Sequence, residues 1–314
     1  MSLRQLNLYA AILHYVLAIG FSIFFISLNN QYPENDAVQG VELSVRDHSV
    51  QFFKRTTCIP NQGPCDASGN QLTAQWISTE TSIVNLKTLQ TMLISFFLIT
   101  GSFHLSYYLG SGDENESNGW YTRAVNNQNN FYRWIEYSIT STLMLYIIAL
   151  TSGVKDTGVY MSLFAMNVSM IYTGQLVEVA VRDGGDWQTP MILGFVLLLS
   201  EFAVIARNFW GRLNQVNSYL TSNTTDPLTN GQTIPGWVNA MIIVLFIFFS
   251  CFGFISLYGA YNNTPYETIE FAYLIASLSA KATLGFFIAF GLGQRAKGWK
   301  PQTPTPTPTP TPGH

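Results

Sequence analysis

The sequence predicts an all-α membrane protein, a bundle of seven transmembrane helices, from its composition and its apolar runs. Only 11% of the 314 residues are charged and 48% are hydrophobic, whereas soluble proteins carry roughly 25% charged residues. A helix that crosses the hydrocarbon core needs about 20 predominantly apolar residues. Seven runs meet that requirement: residues 3–28, 85–109, 130–152, 157–181, 189–211, 236–261 and 266–293.

The first run is predicted to be a retained helix rather than a signal peptide. Its apolar part continues from Leu8 to Leu28, and no small-residue cleavage site follows it. The net charge of −3 indicates neither a nucleic-acid surface nor a strongly basic lipid-binding surface. We therefore expect a lipid bilayer, and no nucleic acid, around this chain.

A long polar loop, residues 29–84, separates the first two runs and contains several Pro and Gly residues. Apolar residues alternate with polar ones on both sides of the tetrapeptide RDHS, at Val41, Leu43, Val45, Val50, Phe52 and Phe53. This pattern predicts a partly β loop with a short hairpin packed on the membrane domain. We expect the loop to cover helix ends or join two subunits rather than form a separate ligand site.

The C-terminal residues 299–314 contain the Thr-Pro repeat PQTPTPTPTPTPGH, which has no hydrophobic face. Such a repeat predicts an extended polyproline II tail or spacer. Partner binding by this tail is a weaker alternative. We assign residues 1–298, including the loop, to one membrane domain.

The three cysteines differ in their surroundings. Cys58 and Cys65 flank IPNQGP in the long loop, and they are candidates for a disulfide if that loop faces an oxidising compartment. Cys251 lies within the apolar FIFFSCFGF and is expected to be a buried small residue. No spacing of Cys or His indicates a zinc site, and we expect no metal.

Lys281 lies near the middle of the seventh run, in YLIASLSAKATLGFFIAFGLG. A lysine at the centre of a membrane helix costs roughly 2.5 to 3.5 kcal/mol on insertion scales. From that depth its side chain would need to cover roughly 15 Å, half of the hydrocarbon core, to reach the interface. Lys281 therefore requires either a buried partner or a chemical use.

Glu136 in the third run is the predicted partner of Lys281. It lies in FYRWIEYSITSTLMLY, with Arg133 three residues earlier on the same helical face. A carboxylate and a lysine on different helices offset each other's burial cost. A structural salt bridge is one interpretation of this pair.

The other interpretation is chemical, because a buried amine condenses with an aldehyde to a Schiff base whose protonated form needs a carboxylate counterion. Seven helices, a mid-membrane lysine in the last and a carboxylate in the third are together what a retinal-binding, rhodopsin-like bundle requires. The aromatic-rich sixth run, LFIFFSCFGFISLY, offers side chains for a polyene slot, although such residues more often face lipid or core.

At these residues the chain resembles the heliorhodopsin family, through RWIEYSITSTLM in the third run and SLSAKATLGF in the seventh. The resemblance covers all seven runs and the long first loop. It implies that Lys281 carries all-trans retinal and that Glu136 is the Schiff-base counterion. It also implies retinal-site positions at Ser277, Ser141, Trp134, Tyr137 and Phe246, and in AMNVSMIYTG at Asn167, Met170 and Ile171.

By the same resemblance, His14 in YAAILHYVL and His104 in GSFHLSYY line a polar cavity beside the counterion, where they and Arg133 take part in proton movement. Two ordinary buried histidines are an equally good interpretation. The resemblance further implies a homodimer. It also implies an inverted orientation, with the N-terminus cytoplasmic and the C-terminus extracellular.

Two positions favour a light sensor over a proton pump. A microbial pump has an acidic proton donor eleven residues after the counterion, where this chain has Ile147, and a second carboxylate four residues before the lysine, where it has Ser277. Without a donor, reprotonation from the far side has no evident route. We therefore expect a photoreceptor that acts on an unknown signalling partner and is not an enzyme.

Light-gated or light-driven ion transport is the alternative from another class. Glu178, Glu201 and Glu270 are membrane or near-membrane carboxylates that could build an ion path. We expect Glu178 and Glu270 to be helix-end or water-contacting residues more readily than Glu201. A G-protein-coupled animal opsin is less favoured, because no Asn-Pro-x-x-Tyr follows Lys281 and no Asp/Glu-Arg-Tyr ends the third run.

The flanking charges oppose the inverted orientation. On the side of the C-terminus the short flanks carry Lys155, Arg207, Arg212, Arg295, Lys297 and Lys300, against Arg4, Arg123, Arg133 and Arg182 on the other side. The positive-inside rule would then place the C-terminus in the cytoplasm. We expect the family's orientation, because the margin is small and inversion places the cysteine-containing loop outside.

Overall fold

The computed structural model describes residues 2–31, 43–55, 71–84, 86–112, 119–222 and 236–298. Val41, Cys58, Cys65 and the tail 299–314 lie outside the described residues. The described helices are α1 (Leu3–Gln31), α2 (Leu86–Gly110), α3 (Trp120–Asn126), α4 (Phe131–Thr151), α5 (Thr157–Asp183), α6 (Gln188–Ser222), α7 (Gly236–Asn262) and α8 (Tyr266–Gly298). All except α3 are long and apolar enough to span a membrane, which confirms the seven predicted spans.

Polar side chains cap the helices that begin or end in short connections. The side chain of Asn130 accepts a hydrogen bond from the Arg133 backbone N–H at the start of α4, and Asp156 accepts from Val159 N–H at the start of α5. Gly184 follows α5 with φ of 70°, a left-handed conformation that a residue without Cβ adopts readily. These caps satisfy backbone groups that have no partner within a helix.

The bundle places α4 and α8 at its centre. Within the most apolar stretch of each helix, 61% of the α4 residues and 50% of the α8 residues are buried, against 17% in α5 and 22% in α7. The core around them is apolar and aromatic, with Leu93, Phe96, Phe97, Leu145 and Leu284 fully buried. The two helices most enclosed by protein are thus those that carry Glu136 and Lys281.

Two antiparallel strands, β1 (Leu43–Arg55) and β2 (Gln71–Val84), lie between α1 and α2. Asp47 is opposite Thr79 near the middle of the ladder. The loop therefore contains two paired strands, and the RDHS residues lie inside β1 with their partners in β2.

The position of RDHS inside a strand agrees with its composition. The RDHS segment contains neither Gly nor Pro, so nothing in it interrupts a strand. The residues between the two strands, in contrast, include Pro60, Gly63, Pro64 and Gly69. Glycine and proline thus mark the connection between the two strands more clearly than polar residues such as RDHS do.

Candidate functional site

Lys281 and Glu136 meet in the centre of the bundle. Lys281 Nζ lies 3.4 Å from Glu136 Oε1 and donates a hydrogen bond of 2.6 Å to Ser277 Oγ, one turn earlier on α8. The two charged side chains are only 2% and 1% exposed. Each charge would be costly alone at this depth, so their proximity offsets part of the burial cost of both.

Two tyrosines complete the surroundings of the pair. The Tyr107 hydroxyl on α2 donates to Glu136 Oε2 at 3.5 Å. Lys281 Nζ lies 5.4 Å from the centre of the Tyr137 ring, within cation–π range. Sequence reasoning missed Tyr107, although it lies three residues after His104 and therefore on the same face of α2.

A largely apolar cavity opens beside the lysine. Its empty volume is about 850 Å³, including the open space at its mouth. Most of its lining is aromatic or aliphatic, and Lys281 supplies an amine in its wall. These residues fit retinal, a polyene with one reactive aldehyde, because the chain provides one amine, an adjacent carboxylate and an apolar slot.

Most of the predicted retinal-site residues line this cavity. They are Trp134, Tyr137, Ser141, Met170, Ile171, Ser277 and Lys281. Asn167 lies behind that wall, with its Nδ2 donating to Ser141 Oγ at 2.8 Å. The structure thus brings together residues from α4, α5 and α8 that are distant in sequence.

Phe246, which was also expected at the retinal site, is not among the residues that line the cavity. Phe249 and Phe252 of α7 line it instead, while Phe246 packs against Phe202, with ring centroids 5.2 Å apart. Because α7 is apolar on all sides, its sequence does not indicate which face points inward.

Sequence reasoning found no motif in the fifth span, but α6 contributes Pro190, Met191, Gly194, Phe195 and Leu198 to the cavity wall. These residues recur at intervals of three and four, the spacing of one helical face. A count of cavity-sized side chains along α6 at that period would have found them.

Gly174 allows Trp134 to lie against α5, because a Cβ at that position would lie 2.5 Å from the indole ring. We expect Gly174→Ala to displace Trp134 and to destabilise the protein by about 1 to 3 kcal/mol, as overpacking does. Thermal denaturation in detergent measures the effect. Gly20→Ala is the matched control, since no described atom lies within 4 Å of its added Cβ; equal effects of the two substitutions would contradict this packing.

The two predicted histidines stack face to face, with ring centroids 5.4 Å apart. His14 Nδ1 lies 2.7 Å from Ala10 O, and His104 Nδ1 lies 2.8 Å from Asn7 Oδ1. Both Nδ1 atoms face acceptors and therefore carry the hydrogen in the neutral ring. Each Nε2 is buried and has no partner among the described residues.

Tyr107 lies between this histidine pair and the counterion. Its ring is 5.8 Å from that of His104, and its hydroxyl reaches Glu136. The histidines are therefore near the counterion but separated from it by one aromatic residue.

Arg133 belongs to a different cluster from the histidines. Its guanidinium pairs with both Glu178 and Glu270. These glutamates lie near helix ends, one of the two interpretations given for them, and their side chains are only 8% and 5% exposed. The starts of α4 and α8 and the end of α5 lie on the same side of the bundle, and this places the three charges together.

Neutral donors surround the same carboxylates. The Trp134 indole N–H donates to Glu178 Oε2 at 2.7 Å, and Asn130 Nδ2 donates to Glu270 Oε2 at 3.3 Å. Burial and the charge of Glu270 raise the pKa of Tyr121 in α3, so its hydroxyl remains a donor toward that carboxylate. The cluster thus holds two buried carboxyl side chains around one arginine.

We expect Arg133→Gln to destabilise the protein by about 3 to 5 kcal/mol, because it leaves two buried carboxylates without their cation. Chemical or thermal denaturation of the purified protein measures this loss. Arg182→Gln is the control, since Arg182 pairs with the exposed Asp183 and such surface pairs contribute little. A loss for Arg133→Gln no larger than for the control would contradict the role of the cluster.

Glu201 in α6 is the third carboxylate considered for an ion path. Its side chain is fully buried, and neither carboxyl oxygen has a hydrogen-bond partner among the described residues. Among the residues that the structure describes, no group of three or more His, Cys, Asp or Glu side chains is arranged to hold a metal ion.

Comparison with known protein families agrees with this site. The family model described as Heliorhodopsin matches residues 3–292, nearly the whole chain. No curated protein matches the chain significantly. Taken with the seven spans and the buried lysine, the match shows that this chain belongs to the heliorhodopsin family, the retinal-binding, light-responsive rhodopsins that are integral to the membrane.

Proposed function

We propose that this protein is a light sensor in which Lys281 carries all-trans retinal as a protonated Schiff base and Glu136 is its counterion. The observation that carries the proposal is the distance of 3.4 Å between Lys281 Nζ and Glu136 Oε1, both buried beside an apolar cavity. Family membership supports the choice of retinal.

When bound, retinal supplies visible absorption and a double bond that isomerises in light. The residues of the chain hold the charge and the proton at its attachment point. Glu136 balances the positive nitrogen, Ser277 Oγ accepts from it, and Tyr107 holds the second carboxylate oxygen. Displacing the nitrogen from Glu136 would weaken their attraction, because the energy of two charges varies inversely with their separation.

The residues around the pair support sensing rather than pumping. Ile147, at the position of a pump's proton donor, is fully buried in the apolar core. Ser277 occupies the position of a second carboxylate and hydrogen-bonds the lysine. No acid lies at either position to return a proton from the far side. The output is therefore a change passed to a partner protein, without enzymatic activity of its own.

Ion transport remains the second candidate because of Glu201. Arg133 holds Glu178 and Glu270 in ion pairs, whereas Glu201 has no described partner. A voltage-clamped cell that makes the pigment should show no light-induced current under the sensor proposal. A reproducible current that Lys281→Ala removes would overturn sensing as the sole function.

We also propose an inverted orientation and a homodimer, both supported by family membership. The charge distribution opposes inversion, since Arg133 is buried in the ion cluster and only Arg4, Arg123 and Arg182 remain on the N-terminal side. Protease treatment of intact cells should remove the Thr-Pro tail if the C-terminus is outside. A tail that resists protease until the cells are lysed would contradict inversion.

A further inference from the structure

Glu201 presents an electrostatic problem that the retinal site does not solve. It lies well inside α6, its side chain is 0% exposed, and both carboxyl oxygens lack a partner among the described residues. An isolated buried carboxylate is so costly that such a group takes up a proton instead. A protonated carboxyl group is also a hydrogen-bond donor.

Asn167 in α5 has the complementary problem. Its Nδ2 donates to Ser141 Oγ and Thr142 Oγ1, each at 2.8 Å. Those hydroxyls already donate to the Tyr137 and Ser138 carbonyls, so they accept from Asn167 and the amide orientation is determined. Asn167 Oδ1 is therefore a buried acceptor, and within the described chain it has no donor.

The helix register places these two groups at similar depth. The antiparallel helices α5 and α6 approach closely at Gly194, where a Cβ would lie 2.7 Å from Thr173 Oγ1. Met166 lies seven residues before Thr173 in α5, and Glu201 lies seven residues after Gly194 in α6. Each is on the same helical face as the residue from which it is counted. Asn167 follows Met166, so it lies within one residue of the level of Glu201.

We propose that Glu201 is a proton-binding site, a neutral carboxylic acid in the dark protein whose O–H donates toward Asn167 Oδ1, directly or through one buried water. This bond pairs two otherwise unsatisfied buried groups, each of which is costly to bury without a hydrogen-bond partner. A water between polar groups of this kind is common in protein interiors.

The site adjoins the retinal cavity without being part of it. Leu198, one turn before Glu201, lines the cavity, as does Ser141, which accepts from Asn167. A displacement of Ser141 in the cavity wall would move Asn167, to which it is hydrogen-bonded, and would thereby change the bond between Asn167 and Glu201. The proton on Glu201, in contrast, follows from burial and from the bond to Asn167, and it is independent of the proposed light-sensing function.

Infrared spectra of the dark protein test this inference without any light response. The spectrum should contain the carbonyl stretch of a protonated carboxylic acid, shifted in D₂O. Glu201→Gln should remove that band, and Asn167→Leu should move it to higher frequency because the hydrogen bond to the acid is lost. Glu267→Gln is the control, since Glu267 is exposed at the start of α8 and should leave the band unchanged.

An acid band that is missing from the wild type, or that persists unchanged in Glu201→Gln, would overturn the proton-binding site. A band that Asn167→Leu does not shift would overturn the bond to Asn167. If Glu201→Gln fails to fold, the shift of the acid band in Asn167→Leu alone tests the proposal, because only an acid bonded to Asn167 changes its frequency in that variant. A failure of the protein to form pigment would leave this test intact and would count against the light-sensing proposal alone.

Discussion

Replacing Lys281 by alanine should abolish the visible pigment completely. Lys281 is the amine in the wall of the cavity, and a Schiff base cannot form at this position without it. The measurement is the absorption spectrum of protein expressed with all-trans retinal and purified. A fully retained visible band would show that another group holds the chromophore.

Two controls separate attachment from folding. Lys281→Ala alone leaves Glu136 as an unpaired buried carboxylate, which costs about 3 to 5 kcal/mol. The double variant Lys281→Ala, Glu136→Gln removes that charge and should fold better while still lacking pigment. Lys87→Ala changes an exposed lysine and should retain the full visible band.

Glu136→Gln should have the second largest effect, either a shift of the absorption maximum to longer wavelength or loss of the Schiff-base proton. Two opposite charges about 4 Å apart attract by roughly 4 kcal/mol at an effective dielectric constant of about 20. Glu136 Oε1 lies 3.4 Å from Lys281 Nζ, so the substitution removes an attraction of this order from the positive nitrogen.

Spectra across a pH series distinguish the two forms of this result. A protonated Schiff base gives a red-shifted visible band, and a neutral one gives absorption in the near ultraviolet. Glu178→Gln provides a buried comparison in the Arg133 cluster and should shift the band less. If Glu136→Gln left both spectrum and protonation unchanged, Glu136 would not be the counterion.

The central pair was predictable because membrane burial makes each charge costly. Lys281 and Glu136 are the charges deepest in their spans by sequence, and each needs the other for the same physical reason. The seven spans were predictable because a membrane requires long apolar helices. These inferences depend on the lengths of the apolar runs and on the positions of charges within them, which a single sequence contains.

Side-chain packing was harder to predict. In the uniformly apolar α7, Phe246 and Phe249 are equivalent by sequence, and both pack against Phe202 of α6, but only Phe249 lines the cavity. The bonds from Tyr107 to Glu136 and from Trp134 to Glu178 join helices whose rotations the sequence does not specify.

The Arg133 cluster was harder to predict than the central pair but easier than the side-chain packing. Counting spans places Arg133, Glu178 and Glu270 on one side of the membrane, so their ion pairs could have been inferred from topology. Taken one residue at a time, the sequence instead predicts Arg133 in the proton cavity and the two glutamates as helix-end or water-contacting acids. Their burial follows from the mutual neutralisation that this grouping allows.

Reductive trapping of the pigment tests the central proposal most directly. Protein expressed with all-trans retinal is reduced with borohydride, digested and examined by mass spectrometry. The proposal predicts a visible band before reduction and a reduced retinal adduct on the peptide that contains Lys281. A protein without a visible band, or an adduct on any other lysine, would contradict it.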